Sequence, residues 1–261
     1  ISVAVLTADQ SIKPNDAFVR TVDTALSYVE QNKFLCTIGI KPTRPETGYG
    51  YIEVEAQGIE QQILPVKAFR EKPDLEKAKS YLGSGNYLWN SGMFFWRLDA
   101  FIESMNKNLP EVGNLINTMA EKYKGKTNVV MGESLSSINE IYKGFPDVSI
   151  DYGLMEKADN VVVAKALFEW DDIGSWDSLQ RVKTANKDNN IVQGKSVLVD
   201  SQNTIVVNAT ESKKVLFAGL GLDGMVVVVT DDAVLVCPKE RVQEVKKCVE
   251  EIRDSKFNEW L

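Results

Sequence analysis

Histidine is absent from the 261 residues. Its absence removes imidazole as a general base, the Ser-His-Asp and Cys-His nucleophile systems, and His-ligated zinc. Chemistry in this chain must run on carboxylates, Lys/Arg, backbone dipoles and hard metal ions. Cysteine is scarce as well. Cys36, Cys237 and Cys248 are odd in number and lack metal-site spacing, which fits reduced thiols in a cytoplasm. No apolar run reaches the length of a membrane span and no signal peptide is visible, so no membrane partner is expected. The net charge of −7, without a long Lys/Arg cluster, argues against a nucleic-acid surface.

What is present is ordinary for a soluble globular protein: 44% apolar and 26% charged residues, in a chain long enough for one large domain and a smaller one. "SVAVLT" reads as a buried strand. "NDAFVRTVDTALSYVEQN" reads as a helix with Phe18, Val22, Ala25, Leu26 and Val29 on one face and Asn15 or Asp16 as its cap, and "FLCTIGI" as a second buried strand. Strand, helix and strand in this order make a βαβ unit and predict an α/β sheet. "GYGYIEVEA" and "VKAFREKP" read as extended around "QGIEQQILP". A helix in "DLEKAKSYLGSG" would be capped by Asp74 and ended by Gly83 or Gly85. "LWNSGMFFWRL" is predicted as a strand, followed by helices through "DAFIESMNKN", "EVGNLINTMAEKY" and "GESLSSINEIYKG". A short helix in "SIDYGLMEKA" leads to the strand "NVVVAKALF".

Near residue 190 the texture changes. Five short β-rich pieces, from "KSVLVD" to "DAVLVCP", are separated by turn residues, which suggests a stacked β array. The expected domains are therefore 1–190 and 191–261. The final amphipathic segment, "KERVQEVKKCVEEIRDSKF", suits closing that β layer, with a homodimer contact as the alternative. The chain opens in an apolar run without Met, which suggests the remainder of a longer protein.

Several polar residues interrupt apolar patterns at the ends of predicted strands. In "KPTRPETGYGYIEV", Gly48 and Gly50 flank a tyrosine. They allow backbone N–H groups to approach a polar ligand, although a tight hairpin would explain them equally well. In "FREKPD", Glu71 could accept from sugar hydroxyls and Lys72 could neutralise a phosphate, the alternative being a solvated strand end. Asn90 sits among aromatics in "LWNSGMFFW", and Asp151 breaks into "PDVSIDYGLMEK". Asp9 follows the first strand. The double aspartate of "EWDDIGSW" follows another, where Ser175 or Asp172 could also cap a helix. In open α/β sheets ligands bind at the carboxyl ends of strands. Asp9 with one of Asp171 or Asp172 would suit a magnesium ion, which takes one or two protein carboxylates.

Taken in order, "VLTADQSI", "GIKPTRPETGYGYIE", "FREKPD", "YLWNSGMFFW", "SIDYGLMEK" and "WDDIGSW" closely resemble the consecutive motifs of the mannose-1-phosphate guanylyltransferases, sugar nucleotidyltransferases. The resemblance runs through nearly the whole chain, including the tail "VVVVTDDAVLVCPKERVQEVKKCVEEI". It implies a Rossmann-like α/β domain with a mixed, mainly parallel sheet, and a small C-terminal β-helical domain. The reaction it implies transfers GMP from GTP to mannose 1-phosphate, giving GDP-mannose and pyrophosphate. Carried over by residue, Asp9 and Asp172 are the Mg²⁺ ligands, leaving Asp171 solvated or capping. Lys72 holds the sugar phosphate, and Gly48, Gly50, Glu71, Asn90 and Asp151 meet the mannose side. The alternatives are another sugar 1-phosphate with another NTP, or a non-catalytic regulatory homologue. Two departures stand out: Gln10 replaces the histidine usual after this aspartate, and no GGxGTRLWPLS-type glycine-rich loop occurs in the chain.

Overall fold

A computed structural model describes residues 1–55, 61–125, 133–212 and 214–260. The expected connection "QGIEQQILP" and the start of "GESLSSINEIYKG" lie partly outside the described residues. The chain divides into two compact units. The first comprises residues 1–8 and 12–170, the second residues 9–11 and 171–261. This division falls upstream of the change in texture near residue 190.

In the first unit the strands are β1 (Ser2–Val5), β2 (Ser11–Lys13), β3 (Leu35–Ile40), β4 (Tyr51–Val54), β5 (Ile63–Arg70), β6 (Tyr87–Arg97), β7 (Val161–Lys165) and β8 (Glu169–Asp171). The last residue of β8 and the first of β2 belong to the second unit. The helices are α1 (Asn15–Gln31), α2 (Leu75–Ser84), α3 (Leu98–Asn108), α4 (Pro110–Tyr123) and α5 (Glu133–Tyr142). Six strands form one sheet in the order β1-β6-β3-β7-β5-β4, and β4 pairs with β6 as well. β3 is buried at every position because its two faces meet different cores. Leu35 packs with Val161, Val163, Met105, Leu109 and Leu154, beneath α3, α4 and the turn 151–155. Cys36, Ile38 and Ile40 pack with Val162, Ala164, Ala25, Val29 and Ala78, beneath α1 and α2. A strand covered on both sides needs apolar residues throughout, which is why "FLCTIGI" reads as a continuous run.

Three expectations are corrected here. The sheet is mixed, but it is not mainly parallel. β3–β7 is a parallel pair, whereas β1–β6, β3–β6, β4–β5, β4–β6 and β5–β7 are antiparallel. The long strand β6 inserts between β1 and β3, so the two strands of the expected βαβ unit are not neighbours. Second, β1 is not buried: it is at the sheet edge, and Val5 is 44% exposed. Third, neither Asn15 nor Asp16 caps α1. Pro14 occupies the N-cap, and no side chain bonds there. Asp74 does cap α2, accepting from Lys77 N at 2.9 Å, and Gly85 ends it in the left-handed conformation at φ 73°.

In the second unit α6 (Leu179–Val182) precedes β9 (Ile191–Gln193), β10 (Ser196–Val199), β11 (Ile205–Asn208), β12 (Phe217–Leu220), β13 (Met225–Val229), β14 (Val234–Pro238) and α7 (Val245–Arg253). β9, β11 and β13 stack in parallel with Ile191, Ile205 and Val226 in register, and β10 pairs in parallel with β12. The turn chemistry that spaces the strands thus lets each coil lie on the one before it. β14 pairs antiparallel with β13. The core is closed by Val242 from the 3₁₀ stretch Lys239–Glu244. α7 itself buries no residue fully.

Candidate active site

Two groups of polar residues emerge, one in each unit. In the first unit, Asn90 ties three segments together. Its backbone N–H donates to Gly50 O at 2.8 Å, and its Nδ2 donates to Asp151 Oδ1 at 2.8 Å. Its Oδ1 accepts from Thr37 Oγ1 at 3.0 Å and from Gly92 N at 3.3 Å. Asp151 opens the π-helical turn Asp151–Met155, where a short helix was expected. Glu71 lies just past β5, and its Oε2 comes within 2.4 Å of the position that a Cβ on Gly50 would occupy. Glycine at 50 thus leaves room for the carboxylate above it, and its backbone is not left-handed. Gly48 does something different: its N–H donates to Glu46 Oε1 at 3.1 Å, so that group serves the loop itself. The structure thus brings Gly50, Glu71, Asn90 and Asp151 together and leaves Gly48 as a loop residue.

Lys72 follows in a left-handed conformation, φ 42°. Its Nζ stands 3.6 Å from Glu71 Oε1, with 63% of its side chain exposed. Such a contact screens Glu71 weakly. Burial raises the Glu71 carboxyl above its ordinary range, and the neighbouring Asp151 adds to the rise while Lys72 opposes it. Burial also raises Asp151, against the hydrogen bond from Asn90. Glu156 is raised by burial and then by Asp151. Acids with perturbed ionisation, gathered beside an amide and an exposed ammonium, suit a ligand carrying several hydroxyls and a phosphate.

The second unit holds Asp9, Asp171 and Asp172. Asp9 lies just ahead of β2 and Asp172 directly after β8, and those two short strands pair with each other. Among the described residues no set of three or more His, Cys, Asp or Glu surrounds a common metal position. Asp171 is neither solvated nor a helix cap. It is buried, 8% exposed, and grips Arg181 through both carboxylate oxygens. It also accepts from Ile173 N at 3.0 Å. The expected cap is also absent. Ser175 precedes a 3₁₀ turn, Trp176–Ser178, without a capping bond, and its Oγ donates to Asp177 at 2.6 Å instead. The left-handed residue in this loop is Ile173, φ 48°. Gly174 leaves room for the Asp172 carboxylate, whose Oδ2 stands 2.5 Å from the position of an added Cβ.

Sequence reasoning passed over Thr37 and Arg181. Thr37 is the lone hydroxyl in "FLCTIGI", a visible signal for a buried polar contact. Arg181 has no comparable signal, since a surface arginine on a helix looks the same.

Comparison with known proteins agrees with this architecture. Residues 2–189 match the nucleotidyl transferase family, and residues 194–252 match the MannoseP isomerase/GMP-like beta-helix domain. The chain is 38% identical over 251 residues to the xanthan biosynthesis protein XanB of Xanthomonas campestris pv. campestris, covering 96% of this chain and 51% of that protein. It is 36% identical over 252 residues to the mannose-1-phosphate guanylyltransferase of Escherichia coli K12, covering 95% and 51%. The chain spans about half the length of the curated relatives it matches. A crystal structure described as mannose-1-phosphate geranyltransferase from Thermus thermophilus superposes with TM-score 0.80 at 31% identity, over 97% of this chain and 70% of that one. On its family match and on this structural likeness, the chain belongs to the nucleotidyl transferase family.

Proposed function

We propose that the protein transfers GMP from GTP to mannose 1-phosphate, forming GDP-mannose and pyrophosphate. The observation that carries this reading is the cluster of Glu71, Asn90 and Asp151 with Lys72 beside it. Two half-buried carboxylates accept from sugar hydroxyls, the amide donates to the same hydroxyls, and the ammonium meets the phosphate. The names of the relatives support the choice of mannose and GTP.

The reaction is an in-line attack by a phosphate oxygen of mannose 1-phosphate on the α-phosphorus of GTP. A phosphate monoester is already an anionic nucleophile, so the reaction needs neither histidine nor a covalent intermediate. Glu71, Asn90 and Asp151 orient the sugar, and Lys72 holds the attacking phosphate while lowering repulsion between the two anions. Asp9 and Asp172 are assigned to Mg²⁺. Both are carboxylates of one compact unit, and they supply the hard oxygen donors this ion takes in ones or twos. Asp171, the other candidate, is already taken up by Arg181. When bound, the ion neutralises developing charge on the phosphates. Among the described residues no helix is long and apolar enough to cross a membrane, and the three cysteines are free thiols, which supports a cytoplasmic setting.

The test is an assay of the intact protein against a matrix of NTPs and sugar 1-phosphates with Mg²⁺, reading pyrophosphate release. Preference for GTP with mannose 1-phosphate is the expected result. Preference for another pair, or tight binding without pyrophosphate release, overturns it.

A further inference from the structure

Thr37 is fully buried within β3, and a buried hydroxyl is costly unless it is bonded. Its single proton serves two acceptors, Asn90 Oδ1 at 3.0 Å and Met93 O at 2.9 Å. The backbone N–H of Gly92 points at the same Asn90 oxygen. The Gly92 N–H and the Asp151 carboxylate decide which way the amide faces, and the Thr37 hydroxyl adds its hold on Oδ1. Flipped, it would set its NH₂ against the Gly92 N–H and its oxygen against the Asp151 carboxylate, replacing attractions by repulsions. In the observed orientation, Oδ1 accepts from the Gly92 N–H and shares the Thr37 proton with Met93 O. One Nδ2 hydrogen goes to Asp151, and among the described residues no partner takes the other.

We infer that Thr37 is a positioning residue that holds Asn90 as a pure hydrogen-bond donor toward a bound hydroxyl. The group bound there must accept a hydrogen bond from Asn90, and the carboxylates of Glu71 and Asp151 favour one that can also donate. A hydroxyl does both, whereas fluorine or hydrogen in its place cannot donate. Thr37 would thus contribute to the recognition of a polyol without touching it. This inference rests on reading the cluster as a sugar site.

The experiment compares Thr37→Val, which keeps the shape and removes the proton, with Thr37→Ser, which keeps the hydroxyl. In the intact protein, Thr37→Val is expected to raise KM for mannose 1-phosphate roughly tenfold and to change kcat by less than about twofold, with Thr37→Ser close to wild type. The side-chain NH₂ signals of Asn90, assigned by their loss in Asn90→Asp, should shift in Thr37→Val and stay in place in Thr37→Ser. Should Thr37→Val not fold, Thr37→Ala is read in its place. An unchanged KM with unmoved amide signals overturns the inference. So does equal impairment of the Val and Ser variants with equal loss of thermal stability, which would assign Thr37 to packing alone. If the wild-type protein turns over no mannose 1-phosphate, it is the functional reading that fails, and the amide signals then decide the role of Thr37 by themselves.

Discussion

Asp171 is buried and Asp151 half-buried, each near the start of a helical turn, yet their surroundings differ in kind. Asp171 meets a guanidinium through both oxygens and a backbone N–H besides. Asp151 meets a neutral amide and shares its space with Glu71, and the cation beside that pair is the exposed Lys72. The first carboxylate is satisfied by the fold. The second group is left under-satisfied, and its acids are raised above their ordinary range. Burial by itself therefore does not mark a functional acid. What marks it is burial without a matching cation, a condition that a ligand can complete.

The strongest test of this contrast exchanges the fates of adjacent aspartates. Asp172→Asn should lower kcat by about a hundredfold to a thousandfold, as expected for loss of a charge-stabilising group, with an almost unchanged melting temperature. Asp171→Asn should instead destabilise the protein. The cost should be about 3 kcal/mol, the low end for a broken buried pair, because Asp177 also reaches Arg181 at 3.6 Å. Denaturant titration beside steady-state kinetics checks both, and the reverse pattern would end the distinction. A smaller effect is expected at Gly50. An alanine there must displace Glu71, whose Oε2 lies 2.4 Å from the new Cβ, so KM for mannose 1-phosphate should rise about tenfold. A normal KM would mean that Glu71 does not meet the sugar.

The subtlest test uses pH. The folded-state pKa of Glu71 is raised, chiefly by burial, so its contribution to stability is fully present below its unfolded pKa and is lost as pH rises through the folded value. Glu71→Gln removes that loss. The variant should melt above wild type at neutral pH, and the gap should close as pH falls into the carboxylate range. A gap that widens on acidification would show that Lys72 outweighs burial.

Much of the scaffold was legible because its causes are local. "FLCTIGI" and "NVVVAKALF" are apolar at consecutive positions because β3 and β7 are buried on both faces. "DLEKAKSYLGSG" carries its own cap and stop, and the turn residues after 190 mark the coils of the second unit. Other features were not legible. The place of β6 between β1 and β3, and hence the antiparallel character of the sheet, depends on partners distant in sequence. The same is true of the exposure of β1.

At the site, residue types and their order drew attention to Asp9, Glu71, Lys72, Asn90 and Asp151 and left Asp171 and Asp172 open, since polar residues that break apolar runs need a reason to be there. The sequence by itself determined the absence of histidine, and so the restriction to carboxylate, ammonium and metal chemistry. It also determined the local patterns that make strands and coils. Only the tertiary structure decided that Asp171 belongs to Arg181, that Gly50 makes room for Glu71, and that Thr37 bonds Asn90. Each of these depends on a contact between segments whose separation along the chain says nothing about their separation in space, and hydrogen bonds and ion pairs act only across a few ångströms.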